Sequence, residues 1–371
     1  MTRAAWIALS VGLALFVALL AWQGIGSIAA TLSVAGWGLL LVAAFHLVPL
    51  LLDALAINVL LPHRSDTNTN TLGASLLARW SGESVNSLMP AGQLGGPVLM
   101  VRHLSQRDIS KASAASVITV STTLQSLAQV VFALLGIAVF AWYRTDPAAA
   151  VATTTAVATD MATTALVPAH ARIIHGSAAN LSMPLIAITL FFAALLYGFY
   201  VAQKRGLFGG VMRLVARFGA RMRKPADWSA WFDHADAIDA AVRALYLERR
   251  KTAWSFLLSL AGWIVGTGEV WLGLKLIGHP VGWVDALLLE SLGQAIRGAA
   301  FMVPGSLGVQ EGGYLLLAPL VGLPPDAALA LSLIKRSREI LLGLPGLVYL
   351  QFSERNWRRR SRAAALQAAI D

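Results

Sequence analysis

Two stretches of this chain set charged and amide side chains among glycines and prolines, between segments that are otherwise apolar. The longer, Glu290–Gly313, reads ESLGQAIRGAAFMVPGSLGVQEGG. It holds Glu290, Gln294, Arg297, Gln310 and Glu311 with one proline and six glycines. The other, Arg79–Pro97, reads RWSGESVNSLMPAGQLGGP and holds Arg79, Glu83, Asn86 and Gln93. Laying Pro90 on Pro304 sets Met-Pro-Ala-Gly against Val-Pro-Gly-Ser, and a charge then stands seven residues before each proline, Glu83 in one copy and Arg297 in the other. A charged side chain in hydrocarbon costs ~2.5–3.5 kcal/mol on insertion scales, so such residues mark function by default. Proline and glycine weaken a spanning helix, and broken backbone at membrane depth is tolerated only inside protein or against a water-filled cavity. The expectation is two re-entrant hairpins, turned by Gly82, Pro90 and Gly92 and by Pro304, Gly305 and Gly308, that build a site in the middle of a membrane transporter.

Each side chain has two readings. Glu83 and Arg297 occupy equivalent places, so they can pair across the empty site and yield to a charged headgroup, or form a permanent ion pair that locks the hairpins. Arg79 lies four residues before Glu83, on the same helical face; a guanidinium there suits phosphate but can also snorkel to the surface. Asn86, Gln93, Gln294 and Gln310 can orient a polar headgroup or satisfy carbonyls of the broken helices. Glu290 and Glu311 are candidates for proton binding. A third group, Lys335, Arg336, Arg338 and Glu339, sits mid-span in Ala327–Leu350. Lys335 and Arg336 fall four and three residues before Glu339, so partial neutralisation along the helix is available. Its positive remainder would attract an anionic group if it faced the hairpins; a shifted helix would instead bring these charges to the interface.

Catalysis and cofactors find no foothold. There is no G-x-S-x-G elbow, P-loop lysine motif or H-E-x-x-H, and no βαβ pattern follows the glycines. The seven histidines, His46 among them, are scattered without ligand spacing, and cysteine is absent. No metal and no cofactor is expected, and the protein reads as no enzyme.

The elements that must position these residues are helices in a membrane. Hydrophobic residues make up 57% of the chain and charged residues 13%, with mean hydropathy +0.66, and several apolar runs reach the ~20 residues a bilayer demands. The formal charge of +10 gathers beside the apolar segments, which points to the positive-inside rule rather than to nucleic acid. Expected spans are Ala4–Trp22 (retained, not cleaved as a signal peptide), Val34–Leu61, the helix that Asp108 or Ser110 caps and that runs to Trp142, Met183–Ala202, Thr252–Ile277 and Pro325–Gln351. Hairpins occupy Leu72–Met100 and Trp283–Leu323. Arg144–Asn180 reads as an external loop. In the basic region Lys204–Lys251, Arg213, Arg217 and Arg221 recur every four residues opposite Leu207, Phe208, Val211, Leu214, Val215 and Phe218. That is a helix for the headgroup layer, attracted to anionic inner-leaflet lipid, or a solvated linker. A second amphipathic helix comes after Pro225.

Each half thus has two spans, a broken hairpin and one span, in opposite orientations, which is the pattern of an inverted-repeat transporter with its site at the midplane. The fold class expected is an all-α polytopic membrane protein. Its parts are a first half over 1–143, an external loop over 144–182, a second half over 183–351 with the basic cytoplasmic loop 203–252, and a basic tail over 352–371. Both termini fall on the cytoplasmic side.

ARWSGESVNSLMPAGQLGG, GWIVGTGEVWLGLKLIGHPV, ALLLESLGQAIRGAAFMVPGSLGVQEGGY and ALALSLIKRSREILLGLPGL together resemble the flippase-like membrane family related to the membrane domain of lysylphosphatidylglycerol synthase, in its hopanoid-associated branch. The resemblance implies a helical bundle with re-entrant hairpins that moves a lipid, a hopanoid or another polar or charged lipid, between leaflets of a bacterial inner membrane. Its motif positions fall on Arg79, Gly82, Glu83, Asn86, Pro90 and Gln93, then on Glu290, Gln294, Arg297, Pro304, Gly308, Glu311, Lys335, Arg336 and Glu339. Pro97 stands where relatives carry an acid. The soluble synthase domain lies outside the resemblance, which implies no aminoacyl transfer. The expected function is an ATP-independent lipid transporter; the alternatives are a lipid-binding accessory protein that anchors a biosynthetic enzyme through Lys204–Lys251 and a lipid-modifying enzyme with Glu311 or Glu290 as base.

Overall fold

The computed structural model describes residues 33–62, 71–89, 95–145, 190–221, 229–299 and 306–367, apart from 34, 108, 192 and 307. No strand occurs among the described residues. The helices in chain order are α1 (Gly38–Phe45), α2 (Leu47–Leu60), α3 (Thr71–Leu88), α4 (Gly95–Ser105), α5 (Lys111–Thr145), α6 (Leu207–Arg221), α7 (Ser229–Leu247), α8 (Arg249–Leu276), α9 (Trp283–Ala299), α10 (Val309–Leu317) and α11 (Pro325–Gln367). Residues 193–204 are also helical.

Proline decides where the first of these breaks. Pro49 has no N–H to give the Phe45 carbonyl, and the apolar run expected over Val34–Leu61 is interrupted at His46, between α1 and α2. Together the two still form a span-length apolar unit, Gly38–Leu60. Lys111–Val139 and Arg249–Leu276 are the other helices among the described residues that are long and apolar enough to cross a membrane. Ser110 starts α5 by accepting from the Ser113 N–H at 3.1 Å, as a cap should. Helix α11 is long enough to span but carries Lys335, Arg336, Arg338 and Glu339 in its middle, and all four are buried. Its Ile340, Leu341, Leu344 and Val348 are exposed. Charge faces the protein and hydrocarbon faces outward, so these charges do not reach the surface by a shift of the helix. Helix α11 also continues beyond Gln351 to Gln367, through much of the basic tail.

Small residues let the broken segments approach. Helices α3 and α4 pack on each other, with Gly82 against Gly96; a Cβ on Gly96 would stand 2.5 Å from the Gly82 carbonyl and 2.7 Å from the Asn86 amide. Asn86 Oδ1 accepts from the Gly96 N–H at 2.8 Å, which satisfies one of the donors a helix start leaves open. Gly96→Ala is therefore expected to destabilise the protein by about 1–3 kcal/mol, read as a lowered unfolding midpoint in detergent; a wild-type midpoint would show that the α3–α4 contact is not tight. Helix α11 lies on α3 with Gly346 against Ser84 and Gly343 against Leu88. Trp80 Nε1 donates to the Leu342 carbonyl at 2.9 Å, in the turn where Pro345 removes a helical donor.

The second broken segment comprises α9, α10 and a 3₁₀ turn, Ala318–Val321. Gly308, at φ 77, opens α10, and its N–H donates to Glu311 Oε2 at 2.7 Å. Apolar packing forms two cores. One gathers Val270, Leu274, Leu288, Leu292, Leu317 and Leu331 from α8 to α11. The other gathers Ile57, Ala78, Leu104, Ile118 and Val242 from α2 to α5 and α7.

In the basic region, α6 exposes Arg213 together with Val211 and Leu214. Asp239 of α7 fixes its start by accepting from the Phe208 and Gly209 N–H groups at 3.1 and 2.8 Å. Helix α7 is no solvated linker: it packs on α5, and Tyr246 donates to Gln203, which donates to Thr123 of α5 (2.7 and 2.8 Å). Burial pushes the Tyr246 phenol up to about 12, so it remains a donor at physiological pH. Ala4–Trp22, residues 146–180 of the expected external loop and residues 183–189 of the expected span Met183–Ala202 lie outside the described residues, as do Pro90, Gly92, Gln93, Pro304 and Gly305.

Candidate functional site

Where the elements of the two cores meet, charged side chains from α2, α3, α8, α9, α10 and α11 join in one network. At one end Asp53 of α2 accepts from Arg79 Nε and Nη2 at 3.0 and 2.8 Å and from Gln125 of α5 at 2.6 Å. Arg79 therefore turns inward instead of snorkelling, and stands 3.7 Å from Glu83. Glu83 meets the His46 ring at 2.9 Å, and the other ring nitrogen meets Glu269 of α8 at 3.0 Å. Arg338 of α11 reaches both of those carboxylates, at 3.5 and 3.2 Å.

The other end belongs to the second broken segment. Glu339 takes Arg297 and Arg336, each at 2.9 Å. Arg336 also meets Glu311 at 3.3 Å, and Ser332 donates to Glu311 at 3.0 Å. Lys335 pairs with Glu290 at 2.5 Å, and Glu290 also accepts from Gln294 at 2.8 Å and Tyr314 at 3.4 Å. Gln310 accepts from Arg297 at 3.1 Å and donates to Ser332 Oγ at 3.1 Å. Arg338 and Glu339, 3.6 Å apart, join the two ends. Removing ions from water costs several kcal/mol each and is offset only by close pairing and hydrogen bonding, which explains why nearly every charge here meets more than one partner.

The described candidates do converge, with different partners from those expected. Glu83 and Arg297 do not pair with each other: Arg338 and Glu339 stand between them. Lys335 ignores Glu339, one turn away, for Glu290 across the helix interface, whereas Arg336 does pair with Glu339. The middle of α11 also leaves no positive remainder, because Lys335, Arg336 and Arg338 meet Glu290, Glu311, Glu339, Glu83 and Glu269. Asn86 satisfies backbone; Gln294 and Gln310 hold charged side chains. Glu311 has a structural duty at the start of α10 as well as its ion pair.

Sequence reasoning gave His46, Asp53 and Glu269 no part in the site. For the two acids a signal was present: each is a lone carboxylate within a long apolar run, LVPLLLDALAINVL and SLAGWIVGTGEVWLG, and an intramembrane acid is a candidate by default. His46 gave none, since its role comes from acids 37 and 223 residues away.

Two cavities reach the network. A crevice of about 260 Å³, its open mouth included, is lined by His46, Trp80, Glu83, Ser87, Arg338 and Leu342 among others. A second, of about 240 Å³ with its open mouth included, is lined by Asp53, Arg79, Ser121, Thr122, Gln125 and Ser259 among others. Both an acid and a base line the first, and Ser121, Thr122 and Ser259 set hydroxyl side chains beside the Asp53–Arg79 pair in the second. No cluster of His, Cys, Asp or Glu suited to a metal occurs among the described residues.

Compared with known protein families, residues 7–346 match the lysylphosphatidylglycerol synthase TM region. Comparisons with curated proteins and with solved structures return no significant match.

Proposed function

We propose a lipid-moving role on this premise: the chain belongs to the family of the lysylphosphatidylglycerol synthase TM region, a family of membrane proteins concerned with lipid. It transfers a polar or charged lipid between leaflets of a bacterial inner membrane without ATP. The headgroup enters the crevice beside Glu83, His46 and Arg338 while the acyl or ring portion stays in hydrocarbon. The carrying observation is the ionic network itself. Charges from both broken segments and α11 are gathered at one junction, and Glu83, His46, Arg338 and Glu339 line a crevice there, the situation in which intramembrane charge serves transport. The two broken segments act as re-entrant hairpins of inverted halves, and access alternates as one half rocks against the other. A hopanoid enters on sequence resemblance alone; so ionic a junction suits one whose side chain bears amino or polyol groups.

Reconstituted protein tests this directly. In vesicles carrying a fluorescent phospholipid, the wild type is expected to move label between leaflets, and Arg297→Ala and Glu83→Gln each to slow it at least about tenfold, the effect of losing roughly 1.4 kcal/mol. If both variants keep the wild-type rate, the junction is not the transport site. A second reading, a lipid-binding accessory protein, draws on the exposed Val211, Arg213 and Leu214 of α6, a mixture of apolar and basic side chains that suits an anionic lipid surface. It is favoured if wild-type vesicles move no lipid, and an enzyme if the lipid's mass changes.

A further inference from the structure

We infer that His46 is a proton-binding site that ties the first broken segment to α8, and that its proton is the ion exchanged when the site opens; the second half of this inference rests on the transport reading above.

The argument begins with donors and acceptors. His46 Nε2 lies 2.9 Å from Glu83 Oε1, and Nδ1 lies 3.0 Å from Glu269 Oε2. A carboxylate only accepts, and a neutral imidazole has a single N–H. Hydrogen bonds at both nitrogens therefore need one proton more than a neutral ring and two carboxylates possess. With the ring as imidazolium, it donates to α3 on one side and to α8 on the other. Arg338 reaches the same two carboxylates, and its Nη1 stands 2.5 and 2.6 Å from Nδ1 and Nε2. A guanidinium only donates, so it lies beside an imidazolium as a second cation held by the two acids and becomes a donor to the freed ring nitrogen once the ring is neutral. Protonated, the group is two cations against two anions; deprotonated, Arg338 alone must serve both acids.

The surroundings do not supply the missing charge. Other ionised groups near the ring have partners of their own: Asp53 on α2 pairs with Arg79 on α3, Lys335 on α11 with Glu290, and Glu339 on α11 with Arg297 and Arg336. In the whole network Asp53, Glu83, Glu269, Glu290, Glu311 and Glu339 face Arg79, Arg297, Lys335, Arg336 and Arg338. One imidazolium makes the network neutral.

The same geometry provides a route. Glu83 keeps 25% of its side chain exposed, whereas Glu269 keeps 4%, and both His46 and Glu83 line the crevice. The N–H bond at Nε2 breaks, the proton passes to Glu83 Oε1 and on to water in the crevice, and the bonding pair remains on Nε2 of a neutral ring. A lone pair then faces a carboxylate, the bond from His46 to Glu83 of α3 is lost, and the crevice can widen. Reprotonation restores it. Low pH on the side to which the crevice opens thus closes the junction and high pH releases it.

The test reads the ring directly. Full-length protein labelled with ¹⁵N at its histidine rings is studied in lipid nanodiscs, with His46→Asn identifying the signal among the seven histidines. The expected spectrum at pH 7 is that of an imidazolium at His46; a neutral tautomer there overturns the proton site. In Glu269→Gln, whose amide can itself donate to Nδ1, the ring is expected to become neutral at pH 7, and a ring that stays protonated also overturns it. The exchange step is read in vesicles of phosphatidylethanolamine and phosphatidylglycerol with a fluorescent phospholipid. An imposed pH difference is expected to alter the wild-type rate, and His46→Gln to abolish that dependence. Wild-type movement indifferent to the gradient overturns exchange and leaves transport standing. No movement under any gradient overturns transport and exchange together, while the ring spectrum still decides the proton site.

Discussion

Arg338→Met is expected to destabilise the protein by about 3–5 kcal/mol, the cost of leaving a buried charge uncompensated, and to abolish lipid movement in vesicles. Arg338 is 5% exposed and approaches three carboxylates, Glu269, Glu83 and Glu339, at 3.2, 3.5 and 3.6 Å. Methionine fills much of the volume but leaves Glu269, buried on α8, with His46 as its remaining close partner. Arg338→Lys keeps the charge and is expected to recover only part of the loss, because a single ammonium cannot reproduce the planar fork that reaches several acids at once. Arg102→Ala supplies the contrast. Its pair with Glu354 is no longer than the buried ones, yet Arg102 keeps 45% of its side chain exposed, and a surface pair contributes ~0–1 kcal/mol. Reversible unfolding in mixed micelles, read by tryptophan fluorescence, measures all three. Equal losses for Arg338→Met and Arg102→Ala would mean that burial is not what gives Arg338 its importance.

Much of this architecture is legible in the sequence because apolar runs and helix breakers are local signals. Pro49 interrupts a helix wherever the chain puts it, Ser110 caps the helix that begins beside it, and Gly82 and Gly96 mark where two backbones come into contact. The candidate residues that the network gathers were singled out for the same reason, each a charge or amide in an apolar setting that does not otherwise need it; Asp53 and Glu269 carried the same signal, and His46 carried none. Pairing was not legible. Helical spacing offers Lys335 a partner in Glu339, but α9 brings Glu290 to 2.5 Å, and no rule of spacing along one helix contains that neighbour. His46 shows the limit most clearly, since an isolated histidine among apolar residues acquires its chemistry only when α3 and α8 deliver a carboxylate to each ring nitrogen. The charge balance at the middle of α11 is hidden for the same reason: spacing along one helix shows only Glu339, whereas the other acids that neutralise it come from four other helices.

Lys335→Met and Glu290→Gln are each expected to cost about 3–5 kcal/mol as single changes, yet combined they should cost far less than their sum, because a buried pair replaced as a unit leaves no uncompensated charge. The pair is suited to this cycle. Lys335 Nζ and Glu290 Oε2 are 2.5 Å apart with side chains only 2% and 4% exposed, and the neighbours that remain, Gln294 and Tyr314, can hydrogen-bond to a glutamine in place of the carboxylate. Stability alone then separates a pair that tolerates joint removal from one that does not. Lipid movement in vesicles separates its roles. If the double variant regains both stability and transport, the pair is a strut between α9 and α11 and the headgroup is bound elsewhere in the junction, at Glu83, Arg297 and Arg338. If it regains stability without transport, the charges themselves act on the lipid or its coupling ion, and the working site extends past the crevice to the most buried end of the network. Strictly additive losses would contradict the direct contact between the two residues.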